Sequence, residues 1–156
     1  MDIYVAGTEV SVERKSFEIY VQGCNRHCKG CHNPETWDFH KGTLVNWEEY
    51  LIGIKKKLET FPFITDIYIS GGDLLCLPAP VAEDASRIAR DLFQNYTLWL
   101  FTGCQEEALP SWVYQYYDVI KCGPYREDLK QEGFPASSNQ KILRINEGEY
   151  GNKKDK

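Results

Sequence analysis

Apolar positions along the chain fall into short extended runs separated by two longer stretches of helical spacing. Ile3 to Val5 and Phe17 to Val21 alternate with polar neighbours at the two-residue period of a half-buried strand, with Gly7 and Glu13-Arg14-Lys15 between them. His32 to Trp37 predicts a turn, because the residue before Pro34 is pushed out of helical conformation, and a loop follows to Asn46. Asn46 with Glu49 has the form of a capping box, and Leu51, Ile54, Leu58 and Phe61 then share one helical face, which predicts a helix to about Thr60. Ile64 to Ser70 is a β-branched strand running into Gly71-Gly72-Asp73. Pro80 opens a second helix with Val81, Ala85, Ile88 and Leu92 turned inward. Leu98 to Phe101 predicts a third buried strand ending at Thr102-Gly103-Cys104. A short helical segment from Ser111 to Tyr116 and a fourth strand, Asp118 to Lys121, lead to Cys122-Gly123-Pro124, and Gln140 to Ile145 closes the pattern as a last strand.

Alternation of strand and helix predicts the α/β class, a parallel sheet whose right-handed crossovers curl it toward a barrel. A complete eightfold barrel takes ~250 residues. With 156 residues the expectation is therefore a partial, open (β/α) barrel in a single domain over 1–156, with a frayed tail over about 146–156.

Composition narrows the class of partner. Hydrophobic residues at 42% and charged residues at 26% are ordinary globular values, and no apolar run approaches a bilayer span, so a soluble chain with no membrane partner is expected. Met1 to Val5 lacks a secretory start, which places the six cysteines in a reducing cytoplasm where disulfides are not expected. A formal charge of −5 and a pI near 5.2 argue against a nucleic-acid partner. Lys55-Lys56-Lys57 lies within the first helix and reads as a solvated face.

The chemistry concentrates in Cys24-Asn25-Arg26-His27-Cys28-Lys29-Gly30-Cys31, three thiols in one short loop after a strand. Thiolates at that density select zinc or clustered iron. A Cys₃His zinc site would draw its fourth donor from His27 or His32, whereas three thiolates around a cubane leave one iron open to another ligand. Ligand sites of such sheets lie beyond the carboxyl ends of the strands, where the cysteine loop, Gly71-Gly72-Asp73 and Thr102-Gly103 all fall. Paired glycines let a ligand approach the backbone, and Asp73 beside them can accept from an ammonium, which suits a ligand with an amino-acid head. Cys76, Cys104 and Cys122 also follow strands. Their long, irregular spacing suits small buried hydrophobes better than a second metal site.

Cys-x3-Cys-x2-Cys after one strand and Gly-Gly-Asp after the next resemble the radical S-adenosylmethionine enzymes. Within them, Cys31 to Trp37, Ser70 to Asp73, Leu100 to Gly103 and Ser137 to Ile142 resemble the activating proteins of glycyl radical enzymes, the anaerobic ribonucleoside-triphosphate reductase branch in particular. The resemblance runs from about Phe17 to Ile145. It implies a 4Fe-4S cluster on Cys24, Cys28 and Cys31, with S-adenosyl-L-methionine on the open iron. Reductive cleavage would then give methionine and a 5′-deoxyadenosyl radical that takes hydrogen from a glycine of the partner reductase, with flavodoxin or ferredoxin as electron donor. It further implies Gly30 and His32 beside the nucleotide, Gly71 and Gly72 along the methionyl backbone, Asp73 at its ammonium, and Thr102 and Gly103 nearby. Three departures accompany it: Glu13 to Phe17 replaces a usual Gly-Pro-Gly-x-Arg segment, Leu74 stands where proline is usual, and Cys122 stands where aspartate is expected. A small-molecule radical enzyme and a non-enzymatic iron–sulfur or zinc electron carrier or sensor are the competing functions.

Overall fold

The computed structural model describes residues 1–145, and the expected tail lies outside the described residues. Strands β1 (Asp2–Ser11), β2 (Ser16–Val21), β3 (Thr43–Asn46), β4 (Asp66–Gly71), β5 (Thr97–Phe101), β6 (Val119–Cys122) and β7 (Lys141–Arg144) form one sheet in the order β3-β1-β2-β4-β5-β6-β7. β2, β4, β5 and β6 run parallel at its centre. β1, β3 and β7 pair antiparallel at the margins. The class is thus mixed α/β, and the carboxyl ends of the four central strands share one edge.

Two elements differ from the pattern read along the sequence. β1 continues to Ser11, because Gly7 to Ser11 pair with Tyr20 to Ser16 and backbone pairing in a hairpin needs no apolar alternation. The expected loop before Asn46 contains β3, an edge strand whose exposed Thr43 and Leu44 carry no inward pattern and which pairs with Asp2 to Val5.

Helix α1 (Trp47–Lys57) starts as expected: Asn46 Oδ1 accepts from the Glu49 N–H at 3.0 Å, Glu48 and Glu49 sit in the first turn and Lys55 to Lys57 in the last. Helix α2 (Ala79–Leu92) turns the expected Ala85 inward, together with small residues on either side of it. Ala82, Ala85, Ser86 and Ala89 are buried, while Val81, Ile88 and Leu92 pack along its flanks, since a stripe of small residues permits closer approach to the neighbouring elements than a stripe of large ones. A short α3 (Val113–Tyr116) precedes β6. Phe17, Ile19, Val21, Ile67, Ile69, Leu98, Leu100 and Ile120 meet Trp47, Leu51, Ile54 and the α2 alanines in the main core. The alternate strand positions Tyr68, Trp99 and Val119 form a second cluster with Phe101 and Ile142, to which no helix contributes. The helices therefore cover one face of the sheet and leave the other lined by aromatic and polar side chains. Among the described residues no helix is long and apolar enough to cross a membrane.

Trp47 ties α1 to α2, being fully buried with its Nε1–H donating to the Ala85 carbonyl at 3.0 Å. Trp47→Phe loses that bond and part of the ring volume, and urea denaturation should register a loss of about 1–3 kcal/mol.

Candidate metal centre

Where β2 ends, the chain is held by a neighbouring segment before the first thiol is reached. Gly23 N–H donates to the Thr36 carbonyl at 2.7 Å, Cys24 N–H to the Trp37 carbonyl at 3.1 Å, and Gln22 Nε2 to the Glu35 carbonyl at 2.9 Å. His27 takes a positive φ of 47°, and its ring stacks on Trp37 at 4.6 Å, which steadies a backbone conformation that costs a non-glycine residue. A turn from the Cys31 N–H to the Cys28 carbonyl at 3.0 Å closes the loop. The end of β4 packs directly on it: Gly72 N–H reaches the Val21 carbonyl and Asp73 N–H the Gly23 carbonyl, each at 2.8 Å.

These elements bound a cleft of about 370 Å³. Cys24, Cys28, Cys31, His32, Gly71, Gly72, Thr102 and Gly103 all line it. Two residues expected at the site do not. Gly30 sits against Glu127, whose Cδ lies 3.0 Å from where a Cβ would stand. Asp73 is 1% exposed and its carboxylate is taken up by protein donors, accepting from Thr102 Oγ1 at 2.9 Å, Gly103 N–H at 2.8 Å, Leu75 N–H at 3.0 Å and Arg26 Nε at 3.1 Å. It is not among the residues that line the cleft.

Further residues line the same cleft without having been singled out along the sequence: Arg26, Asn33, Tyr125, Lys121 and, along the open sheet face, Glu18, Tyr20, Tyr68 and Phe101. The signal for the last group is present in β2, because Ser16, Glu18 and Tyr20 alternate with core residues and so put polar groups on a face that would otherwise be apolar. Glu18 is 5% exposed and accepts from Arg14 at 2.7 Å, Ser16 Oγ at 3.1 Å and Tyr20 OH at 3.1 Å. Lys121 lies over the Phe101 ring at 5.6 Å, and burial lowers its pKa against the opposing pull of Asp73.

The thiols differ in their surroundings. Cys24 is drawn down to about 6, chiefly by a hydrogen bond from the Cys76 thiol, with burial opposing. Cys76 is pushed up for the converse reason, its hydrogen bond with Cys24 and its partial burial both favouring the thiol, and its Sγ lies 3.3 Å from Asn25 Oδ1. Burial raises Cys28, while a backbone hydrogen bond from Tyr125 favours its thiolate. Cys122 is 1% exposed in the main core. Among the described residues no three His, Cys, Asp or Glu side chains close on a single ion. Three thiols spread around one cleft suit a cluster, in which each thiolate takes its own iron.

Fold and site together define a mixed α/β domain with three free thiols lining one cleft at the edge of its sheet. A family model described as a 4Fe-4S single cluster domain matches residues 12–143, and the chain belongs to that family. It is 26% identical over 136 residues to the anaerobic ribonucleoside-triphosphate reductase-activating protein of Haemophilus influenzae, covering 81% of this chain and 86% of that protein. The Vibrio cholerae protein of the same name is 27% identical over 139 residues, with 81% and 86% covered. A pyruvate formate-lyase-activating enzyme of Clostridium pasteurianum is 36% identical over 64 residues, which span 38% of this chain and 26% of that enzyme.

Proposed function

We propose that the chain is a radical S-adenosyl-L-methionine activase that generates the glycyl radical of a partner reductase, with anaerobic ribonucleoside-triphosphate reductase the first candidate. One observation carries this reading: three thiols of a 4Fe-4S family member share a cleft with the backbone of Gly71-Gly72 and Thr102-Gly103, at the carboxyl ends of adjacent parallel strands. In this reading the sheet is an open part of a (β/α) barrel, and its uncovered face is the wall along which a glycine loop of the partner would enter.

Cys24, Cys28 and Cys31 would hold the cluster, and Gly71, Gly72, Thr102 and Gly103 would present main chain to the adenosylmethionine. When bound, the two cofactors would supply one-electron reductive cleavage of the sulfonium and hydrogen abstraction from the partner's glycine, with flavodoxin or ferredoxin as the electron source. The protein's part is to place and shield. Tyr68, Phe101 and Phe134 line the cleft with Tyr20 and Lys121, a largely aromatic wall against which the partner's glycine loop would pack. His32, with its ring 5.2 Å from Tyr125, flanks the nucleotide end in this reading. Relatives named as activases of two different enzymes support the reaction class more firmly than the identity of the partner.

Anaerobic reconstitution with iron and sulfide, followed by S-adenosyl-L-methionine and dithionite, should release 5′-deoxyadenosine. Co-incubation with the reductase should then give a glycyl radical signal by electron paramagnetic resonance. Absence of 5′-deoxyadenosine removes the enzymatic reading and leaves a cluster-bearing carrier or sensor. Its release without a protein radical points instead to a small-molecule substrate.

A further inference from the structure

The proposed reaction gives no task to Arg26 or to the carboxylate of Asp73. Asp73 is buried at 1% exposure, and of the four donors it accepts from only Arg26 carries charge. A carboxylate at that depth needs donors around it and a counter-charge beside it. The cation comes from inside the cysteine loop, between Cys24 and Cys28, so the ion pair at 3.1 Å joins that loop to the ends of β4 and β5. Gly103 makes the crossing possible: a Cβ there would stand 2.6 Å from Arg26 Nε, so any side chain at 103 would displace the guanidinium.

The pair has a direction. Arg26 lines the cleft with Cys24, Cys28 and Cys31, whereas Asp73 does not, so the positive end of the pair is the one that faces the cleft. The Arg26 side chain is 28% exposed, which leaves its field incompletely screened.

We propose that Arg26, held across Gly103 by Asp73, is a positioning residue that sets how readily the iron–sulfur cluster accepts an electron. The inference rests on the cluster reading of Cys24, Cys28 and Cys31. Reduction adds one electron from an external low-potential donor such as dithionite, and neither makes nor breaks a bond to the protein. The added charge is negative, so a fixed cation beside the thiolates stabilises the reduced form and the carboxylate behind it does the reverse. A residue that only braced the loop would change iron content or stability. It would not shift the potential in opposite directions when each partner of the pair is neutralised in turn.

The experiment uses the full chain, reconstituted anaerobically as wild type, Arg26→Lys, Arg26→Gln and Asp73→Asn. Iron and sulfide per chain are measured first, then the cluster is titrated with dithionite and followed by electron paramagnetic resonance. At equal iron content, Arg26→Gln should be about tenfold harder to reduce, about 59 mV more negative for a one-electron couple. Arg26→Lys, which keeps the charge without the planar fork, should recover most of that shift. Asp73→Asn should move the other way, toward easier reduction. Equal potentials in wild type and Arg26→Gln overturn the proposal, as does a shift of the same sign in Asp73→Asn. If Arg26→Gln loses its iron, the sign in Asp73→Asn decides alone. A wild-type protein that takes up no four-iron cluster overturns the cluster reading itself, and iron and sulfide counts reveal this before any variant is titrated.

Discussion

Cys28→Ala is expected to leave the fold standing and to strip the site of iron. The residue is partly exposed in a loop outside every strand and helix, so the substitution touches neither the sheet nor the main core, and thermal unfolding should move by no more than about 0.5 kcal/mol. The metal has no such tolerance. Outer partners of metal ligands are worth ~10–100-fold in affinity, so loss of a thiolate that ligates directly should cost at least about a hundredfold. Anaerobic reconstitution followed by iron counting and absorption spectroscopy measures it, with 5′-deoxyadenosine formation falling in parallel. Full iron in Cys28→Ala would mean that another donor completes the set, such as His32 of the same cleft, and would undo the assignment of the three thiolates. Cys122→Ala gives the converse pattern. That thiol is 1% exposed in the core, so its loss should cost about 1 kcal/mol of stability and leave iron content unchanged.

The parts of this site that could be read along the chain are those set by local chemistry. Three cysteines within one loop and glycines at strand ends announce themselves, and the Asn46 cap with Glu49 marks a helix start from sequence alone. β2, β4, β5 and β6 are legible for a related reason: their core-facing positions are apolar in nearly every case. What could not be read depends on distance in space. Asp73 looks like a ligand residue beside Gly71-Gly72, but four donors drawn from three separate segments enclose it. Arg26 carries no signal of its own between the cysteines, and its role depends on the turn after β5 being brought beside it. β3 has no inward pattern because an edge strand is fixed by its partner's backbone, and of the small residues that α2 buries only Ala85 falls on the stripe read with Val81, Ile88 and Leu92, while Ala82, Ser86 and Ala89 escape it. The aromatic lining of the cleft belongs to the same category. Tyr68, Phe101 and Phe134 are far apart in sequence, and Phe101 comes within 5 to 6 Å of the other two only once the strands are paired.

Gly72→Ala is expected to damage stability and metal content together, because the two depend on one backbone contact. A Cβ at Gly72 would lie 2.5 Å from the Gly23 carbonyl oxygen and 2.8 Å from its carbon and nitrogen. Those are main-chain atoms, held in turn by the Gly23 N–H bond to Thr36 at 2.7 Å and the Asp73 N–H bond to the Gly23 carbonyl at 2.8 Å, so no side-chain rotation relieves the clash. The residue that must yield is the one that leads into Cys24. Overpacking of this kind costs about 1–3 kcal/mol, and because the strain falls at the root of the cysteine loop, iron per chain should drop in the same variant. Gly71→Ala adds backbone strain to a similar clash, since Gly71 has a φ of +100° and a Cβ there would meet Val21 N and O at 2.6 Å. Gly53→Ala supplies the reference. Gly53 lies exposed within α1, and a methyl group there would meet nothing inside 4 Å, so the same chemical change should instead raise stability by about 0.5–1 kcal/mol and leave iron untouched. Urea denaturation and iron counts on the three variants read both quantities, and a Gly72→Ala protein with the stability and iron content of wild type would show that the close approach of β4 to the cysteine loop does not hold the site together.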